Sequence, residues 1–331
     1  MTGKHKMSFT SVFPKAFTTI LFAWTYYITV TRVTVCPSKF VLVISTLLVA
    51  IALYTYFRVV VVGPGSPLDF PDLAIRNMTD VENGTELPPE YLTRKSLTIK
   101  HDGRFRVCQT CKFWKPDRCH HCSTCERCIL KMDHHCPWFA DCIGFLNQKL
   151  FIQFLLYTTV YSVWVFTLMS AELSVWFRAG GFEYEFINIP VLQVWIVALV
   201  ITISMLVFSW FTVRQLVMNQ TTNEMYGVRR YRREFEIRHG MPPASDVNVF
   251  DLGSASANWR DVMGDSWVEW LLPIKTFKYV RSRNTRDEKG LYFDVSQSPQ
   301  SQGLLQDADL QDRLVRRLTP RSSLDTDLHH V

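Results

Sequence analysis

Cys108-Gln-Thr-Cys111-Lys-Phe-Trp-Lys-Pro-Asp-Arg-Cys119-His-His121-Cys122-Ser-Thr-Cys125-Glu-Arg-Cys128-Ile-Leu-Lys-Met-Asp-His-His135-Cys136-Pro-Trp-Phe-Ala-Asp-Cys142 carries eight of the nine cysteines of this 331-residue chain. One pattern, Cys-x2-Cys-x9-His-x6-Cys, is written in it twice, the second copy displaced by 14 residues. The first copy uses Cys108, Cys111, His121 and Cys128; the second uses Cys122, Cys125, His135 and Cys142. Three thiolates and one imidazole make a full tetrahedral set for a structural zinc ion, so the segment is expected to hold two. Because the copies interleave, neither site closes until much of the other is in place. Eight cysteines would also serve two all-cysteine sites, with Cys119 and Cys136 as ligands. The match of all four positions in register, histidine included, favours the interleaved set.

On that register Cys136 is left over, inside Asp133-His-His-Cys136. Only a thiolate attacks well, and a free cysteine is mostly thiol at neutral pH. His135 is spent on metal, but His134 is free to take the proton of Cys136, and Asp133 can orient His134. The three read as a nucleophile, a base and its positioning acid. The bland alternative makes His134 a supporting hydrogen-bonding residue near the metal.

Outward from this segment the chain is apolar in four long runs: Phe17–Val35, Phe40–Val62, Leu150–Phe177 and Pro190–Val213. Each is long enough to cross a ~30 Å hydrocarbon core as a helix, which takes ~20 residues. The expected fold is an all-α membrane protein, with four transmembrane helices and a cytosolic two-zinc cysteine-rich domain between helices two and three. Lys4, Lys6 and Lys15 precede the first run without an acid, and Arg214, Arg229, Arg230, Arg232 and Arg233 follow the fourth. The positive-inside bias puts both termini and the cysteine segment in the cytosol. Clustered thiols at metal spacing fit that reducing compartment.

The parts are expected at 1–62 (cytosolic N-terminus and helices one and two), 63–149 (zinc domain), 150–217 (helices three and four), 218–283 (cytosolic C-terminal region) and 284–331. The last is Ser/Gln-rich and polar, and is expected to be disordered. Basic residues around the zinc segment suit a phosphate-bearing carrier or anionic lipid headgroups. Nucleic acid is not expected, since no finger helix has the usual spacing. A transporter lacks the internal charges of such proteins.

Lys115-Pro-Asp-Arg118, His120-His-Cys122, Asp133-His-His-Cys136, Asn147 and Thr221-Thr-Asn-Glu224 closely resemble the motifs of the DHHC protein S-acyltransferases. The likeness covers about residues 10–281, and the chain as a whole looks most like the fungal vacuolar members. It implies transfer of a palmitoyl group from palmitoyl-CoA, through an acyl-Cys136 thioester, to cysteines of membrane-associated proteins that face the cytosol. It implies the same eight zinc ligands, with His134 as base and then acid, and Asp133 orienting it. Trp138 would pack beside the acyl chain, Tyr161 bonded to Thr25 would close the far end of its cavity, and Lys115 and Arg118 would meet the CoA phosphates. A vacuolar membrane follows from the resemblance alone. The competing class is a zinc-stabilised membrane scaffold in which Cys136 does not turn over.

Overall fold

Two long hairpins of helices carry everything else. The computed structural model describes residues 9–93, 105–181, 186–241, 248–274 and 290–294. Helix α1 (Phe9–Arg32) turns at 33–37 into α2 (Ser38–Val62). After the cysteine segment come the long helix α5 (Gln148–Arg178) and α6 (Ile189–Val217). Among the described residues, α2, α5 and α6 are long and apolar enough to cross a membrane. Helix α1, with Lys15, Arg32 and several hydroxyl residues, falls short of that measure, so three of the four expected spans stand on length and composition. The expected positions of Lys4 and Lys6 lie outside the described residues.

Much of the apolar surface of α2 and α6 points outward, as in Phe40, Leu47, Val61, Val200 and Trp210, a distribution suited to lipid. Between the helices lie Phe22, Tyr56, Phe151, Val165 and Val194, the buried core. Glu172, near the end of α5, reaches the α1–α2 turn. Its carboxylate accepts from the backbone N–H groups of Thr34 and Val35, the latter at 2.7 Å.

The cysteine segment is not helical. It forms three antiparallel two-stranded hairpins: β1 (Val107–Cys108) with β2 (Phe113–Trp114), β3 (His120–Cys122) with β4 (Arg127–Ile129), and β5 (His134–Cys136) with β6 (Asp141–Ile143). The all-α expectation therefore holds for the membrane part and fails here. The sequence has no helical apolar period in this stretch, and strands this short depend on cross-links instead of a core.

Two devices fix the hairpins to the helices. Gly63, with φ +65°, ends α2, and its N–H bonds back to Val59 O. The turn that follows holds the hairpins through Leu130 N to Gly65 O (3.2 Å), Leu146 N to Pro64 O (3.1 Å) and Ser66 Oγ to Cys128 O (2.7 Å). Asn147, buried just before α5, accepts from Gly144 N and donates to Cys142 O and Val59 O. Gly144 admits no side chain: a Cβ there would lie 2.7 Å from both Ile129 and the Leu130 carbonyl oxygen.

Ahead of the hairpins lie two 3-10 turns and the short helices α3 (Met78–Glu82) and α4 (Glu90–Thr93). Beyond α6, Thr221 starts α7 (Thr222–His239) with a reciprocal capping box to Glu224. Helices α8 (Ala255–Met263) and α9 (Trp267–Leu271) pack against the start of α5 and the end of α6. There Gln153 donates to the carbonyls of Glu269, Trp270 and Leu272, and Asn258 donates to Val217 O. Most of the 284–331 tail lies outside the described residues. Within it, residues 290–294 are folded against the hairpins, with Leu291 0% exposed. A polar composition hid one apolar anchor, and for these five residues the expectation of disorder is corrected.

Candidate active site on a metal-braced hairpin

The three hairpins are one unit repeated at the 14-residue period. His120, His121 and Cys122 face Ile129, Cys128 and Arg127; fourteen residues on, His134, His135 and Cys136 face Ile143, Cys142 and Asp141. Each turn ends in a residue with positive φ: Lys112 (55°), Glu126 (53°) and Ala140 (50°). Each of the first two hairpins offers two thiolates from its own turn. The His and Cys that complete each tetrahedron come from the strands of the next hairpin.

The ligand atoms of Cys108, Cys111, His121 and Cys128 lie within 4.8 Å of one another, as do those of Cys122, Cys125, His135 and Cys142. In the first set the three sulfurs stand 3.6, 3.2 and 3.9 Å from His121 Nδ1; in the second they stand 3.7, 3.3 and 3.7 Å from His135 Nδ1. A tetrahedron with Zn–S near 2.3 Å and Zn–N near 2.0 Å spaces sulfur and nitrogen by about 3.6 Å. The donors fit that ion. Cys119, the alternative ligand, is fully buried beside Cys108 and Cys128 but belongs to neither set.

The third hairpin has no successor. Its turn positions are Cys136 and Phe139, where the earlier hairpins carry paired cysteines, so Cys136 keeps its thiol free. The residue is 5% exposed and joins the same buried cluster as Phe22, Phe139 and Phe151, in the core between the helices. Phe139 packs on Tyr56 (4.9 Å between ring centroids) and Phe154 (5.3 Å), and Tyr56 Oη donates to Trp138 O at 2.7 Å. Trp138 itself is 57% exposed, with Phe17 of α1 beside it.

Next to the thiol, His134 Nδ1 lies 2.6 Å from Asp133 Oδ2. Asp133 Oδ1 accepts from the Thr222 backbone N–H at 2.6 Å, and Oδ2 also accepts from Thr222 Oγ1 at 3.3 Å. Burial pushes the Asp133 carboxyl up, but the His134 and Thr222 hydrogen bonds outweigh it and hold the group below its ordinary range. For His134, burial favours the neutral ring. The hydrogen bond to Asp133, with the nearby Cys136 and the charges of both, more than offsets that and raises it to about 9. Its Nε2 is buried without a partner at hydrogen-bonding geometry, although Cys136 is close enough to favour the charged ring. A thiol, an imidazole and a carboxylate in that sequence can take up and return one proton at sulfur.

The sequence of this chain matches the DHHC palmitoyltransferase family over residues 101–228. It is 54% identical to "Palmitoyltransferase PFA3" of Saccharomyces cerevisiae over 324 residues, covering 97% of this chain and 96% of that one. The chain belongs to the DHHC palmitoyltransferase family. Among its relatives, Palmitoyltransferase PFA3 of Candida glabrata is 46% identical over 97% of both chains. Palmitoyltransferase ZDHHC2 of Danio rerio is 32% identical over 79% of this chain and 73% of its own.

In this DHHC palmitoyltransferase the remaining expected residues fall in two groups. Tyr161 Oη and Thr25 Oγ1 stand 2.9 Å apart in the buried core between α5 and α1, and the Phe22 ring lies against Tyr161. The two cations expected at CoA phosphate are elsewhere engaged or enclosed. Lys115 is 7% exposed beside the first ligand set. Arg118 is 3% exposed, with Nε and Nη2 on the Glu224 carboxylate (2.7 and 2.8 Å) and further bonds to Asn219. Its charge is matched internally, and a phosphate would have to displace Glu224.

Thr222 is the neighbour of the Asp133–His134 pair that sequence reasoning did not single out. It sits inside the Thr221–Glu224 motif, and only its contact with Asp133, 89 positions away in sequence, reveals what that motif holds.

Proposed function

We propose that this palmitoyltransferase works by two successive thioester exchanges at Cys136, with palmitoyl-CoA as donor and a cytosolic cysteine of a membrane-associated protein as acceptor. In the first exchange, the Cys136 proton passes to His134 Nε2 and Sγ attacks the thioester carbonyl. The C–S bond to CoA breaks, and the imidazolium returns the proton to the departing CoA sulfur. In the second, His134 takes the proton of the acceptor thiol, the acceptor sulfur attacks the acyl-Cys136 carbonyl, and the Cys136 sulfur leaves and is reprotonated. Asp133 holds the tautomer and balances the imidazolium throughout.

One observation carries this reading. Of the two thiols that the repeat leaves without a metal partner, Cys119 and Cys136, the latter lies beside an Asp–His pair and opens onto the apolar core of the helices. An acyl chain on Cys136 has a hydrocarbon environment directly beneath it, and Tyr161 with Thr25 would form the floor that limits its length. Bound zinc supplies a rigid cross-link between successive hairpins; residues of this chain handle every proton. With α1 as a fourth span, both termini and the hairpins share the cytosolic side, at the vacuolar membrane.

Intact mass of purified protein after brief exposure to palmitoyl-CoA tests the proposal, with Cys136→Ala alongside. A hydroxylamine-labile palmitoyl adduct on wild type alone is the expected result. No adduct, in protein that still carries two zinc ions, would instead support a scaffold whose Cys136 does not turn over.

A further inference from the structure

Residues 290–294 occupy a groove built for them. Gly290, with φ +78°, lies so close to Phe145 that a Cβ would come within 2.6 Å of the ring. Leu291 fills a buried cluster with Leu73, Leu92 and Trp114. Tyr292 Oη donates to Tyr91 O at 2.6 Å. Phe293 then meets Phe145 and Phe250 edge to face, each 6.1 Å between centroids. These contacts join the C-terminal segment to parts of the chain about 200 positions earlier (Tyr292 and Tyr91 are 201 apart).

What lies beneath Phe293 gives the contact its significance. The Arg118 guanidinium carbon is 4.4 Å from the Phe250 ring centroid and 5.1 Å from that of Phe293, so two aromatic faces enclose one cation. Lys131 Nζ is 5.7 Å from the Phe293 ring as well. Arg118 in turn holds Glu224, whose Oε2 accepts the Thr221 N–H and closes the capping box. The next backbone N–H, that of Thr222, donates to Asp133, which holds His134. A continuous path of contacts runs from the C-terminal segment to the Asp133–His134 pair.

We propose that residues 290–294 are a strap that positions the catalytic pair, and that Phe293 is a positioning residue acting through Arg118, Glu224 and Thr222. The strap docks only where the hairpins and Phe250, whose stretch is tied to Met218 through Asn248, are already together. It therefore couples closure of the cytosolic region to the alignment of His134 on Cys136.

The assignment of a catalytic role rests on loading of Cys136, so the test has two readouts in full-length, zinc-loaded protein in detergent micelles. One is the rate of palmitoyl adduct formation as a function of palmitoyl-CoA concentration. The other, made without donor, is hydrogen–deuterium exchange of the Thr222 amide. Loss of one enclosed aromatic face from a cation is worth on the order of tenfold. Phe293→Ala is expected to lower the maximal loading rate about tenfold, to leave the half-saturating palmitoyl-CoA concentration unchanged, and to speed Thr222 exchange by a similar factor. Phe293→Tyr should restore both, whereas Phe293→Met, which fills the space without an aromatic face, should not. Unchanged loading and exchange in Phe293→Ala would overturn the strap, and so would full recovery by Met. Should Phe293→Ala lose zinc, the Tyr and Met variants still decide. Failure of wild type to load would sink the reading of Cys136, while Thr222 exchange would go on testing the strap.

Discussion

Glu224→Gln removes one charge from the most enclosed ion pair among the described residues, and its cost can be worked out in advance. The Arg118 side chain is 1% exposed and that of Glu224 16%, so little water replaces the lost partner. In the variant the amide oxygen can still accept from Arg118 or from Thr221, while Asn219 retains its two contacts with Nη1 and Nη2. The fold changes little, but a buried guanidinium is left without a counter-charge. Breaking such a pair costs ~3–5 kcal/mol. The retained hydrogen bonds set the expectation at the lower end, ~3 kcal/mol. Arg118→Met removes the buried charge itself, and in that background Glu224→Gln should cost less than ~1 kcal/mol, since the remaining acid is partly exposed. The assay is denaturant unfolding of zinc-loaded protein in micelles for wild type, both single variants and the double, read as a thermodynamic cycle. A cost below ~1 kcal/mol for Glu224→Gln, or the same cost with and without Arg118, would refute the assignment of this pair as the link between the hairpins and α7.

Cys136→Ser should abolish the palmitoyl adduct and keep two zinc ions per chain by metal analysis; loss of one ion would reinstate the all-cysteine ligand set. Cys128→Ala removes a ligand of the first site from the hairpin that also supplies Cys122 and Cys125 to the second. Its zinc content should fall below two, with loss of cooperative unfolding. Tyr161→Ala opens the floor between α1 and α5. At ~0.8 kcal/mol per buried methylene, two more carbons would gain up to ~1.6 kcal/mol, or roughly tenfold in relative use of stearoyl-CoA over palmitoyl-CoA. An unchanged chain-length profile in competition assays would reject Tyr161 as the floor.

Much of this was legible before any coordinates. The 14-residue displacement specified both ligand sets, and four apolar runs located the long helices to within a few residues at most ends. The exception is α1, whose helix starts at Phe9, ahead of the apolar run at Phe17. Thr221 and Glu224 were legible only as letters of a family-like motif, and the structure shows them closing a capping box. What escaped the sequence were contacts between residues distant along the chain. The Lys-Pro-Asp-Arg118 turn says nothing about Glu224, 106 positions away, with which Arg118 pairs. Residues 290–294 read as tail because one Leu and two aromatics in a polar stretch carry no periodic signal. Asn147 looked like a motif letter, and only the geometry shows it pinning Cys142 and Gly144 to the end of α2.

One signal was present in the sequence and bears on why Cys136 is free of metal. Cys108, Cys122 and Cys136 fall at one period, so the segment repeats three times and not twice. Each hairpin needs a follower to complete its site with a His and a Cys. After the third hairpin, Asn147 turns the chain into α5, and the helix occupies the place of a follower. Phe139 stands where a second thiolate would be, and its ring is sealed against Tyr56, Phe151 and Phe154. Cys136, the proposed nucleophile, thus stands at the first-ligand position of a third repeat that lacks the other three ligands. Its geometry is held by the second site through His135 and Cys142, one residue and six residues away. In place of a following hairpin the unmatched thiol meets the apolar core between the helices, the environment that the proposed acyl thioester requires.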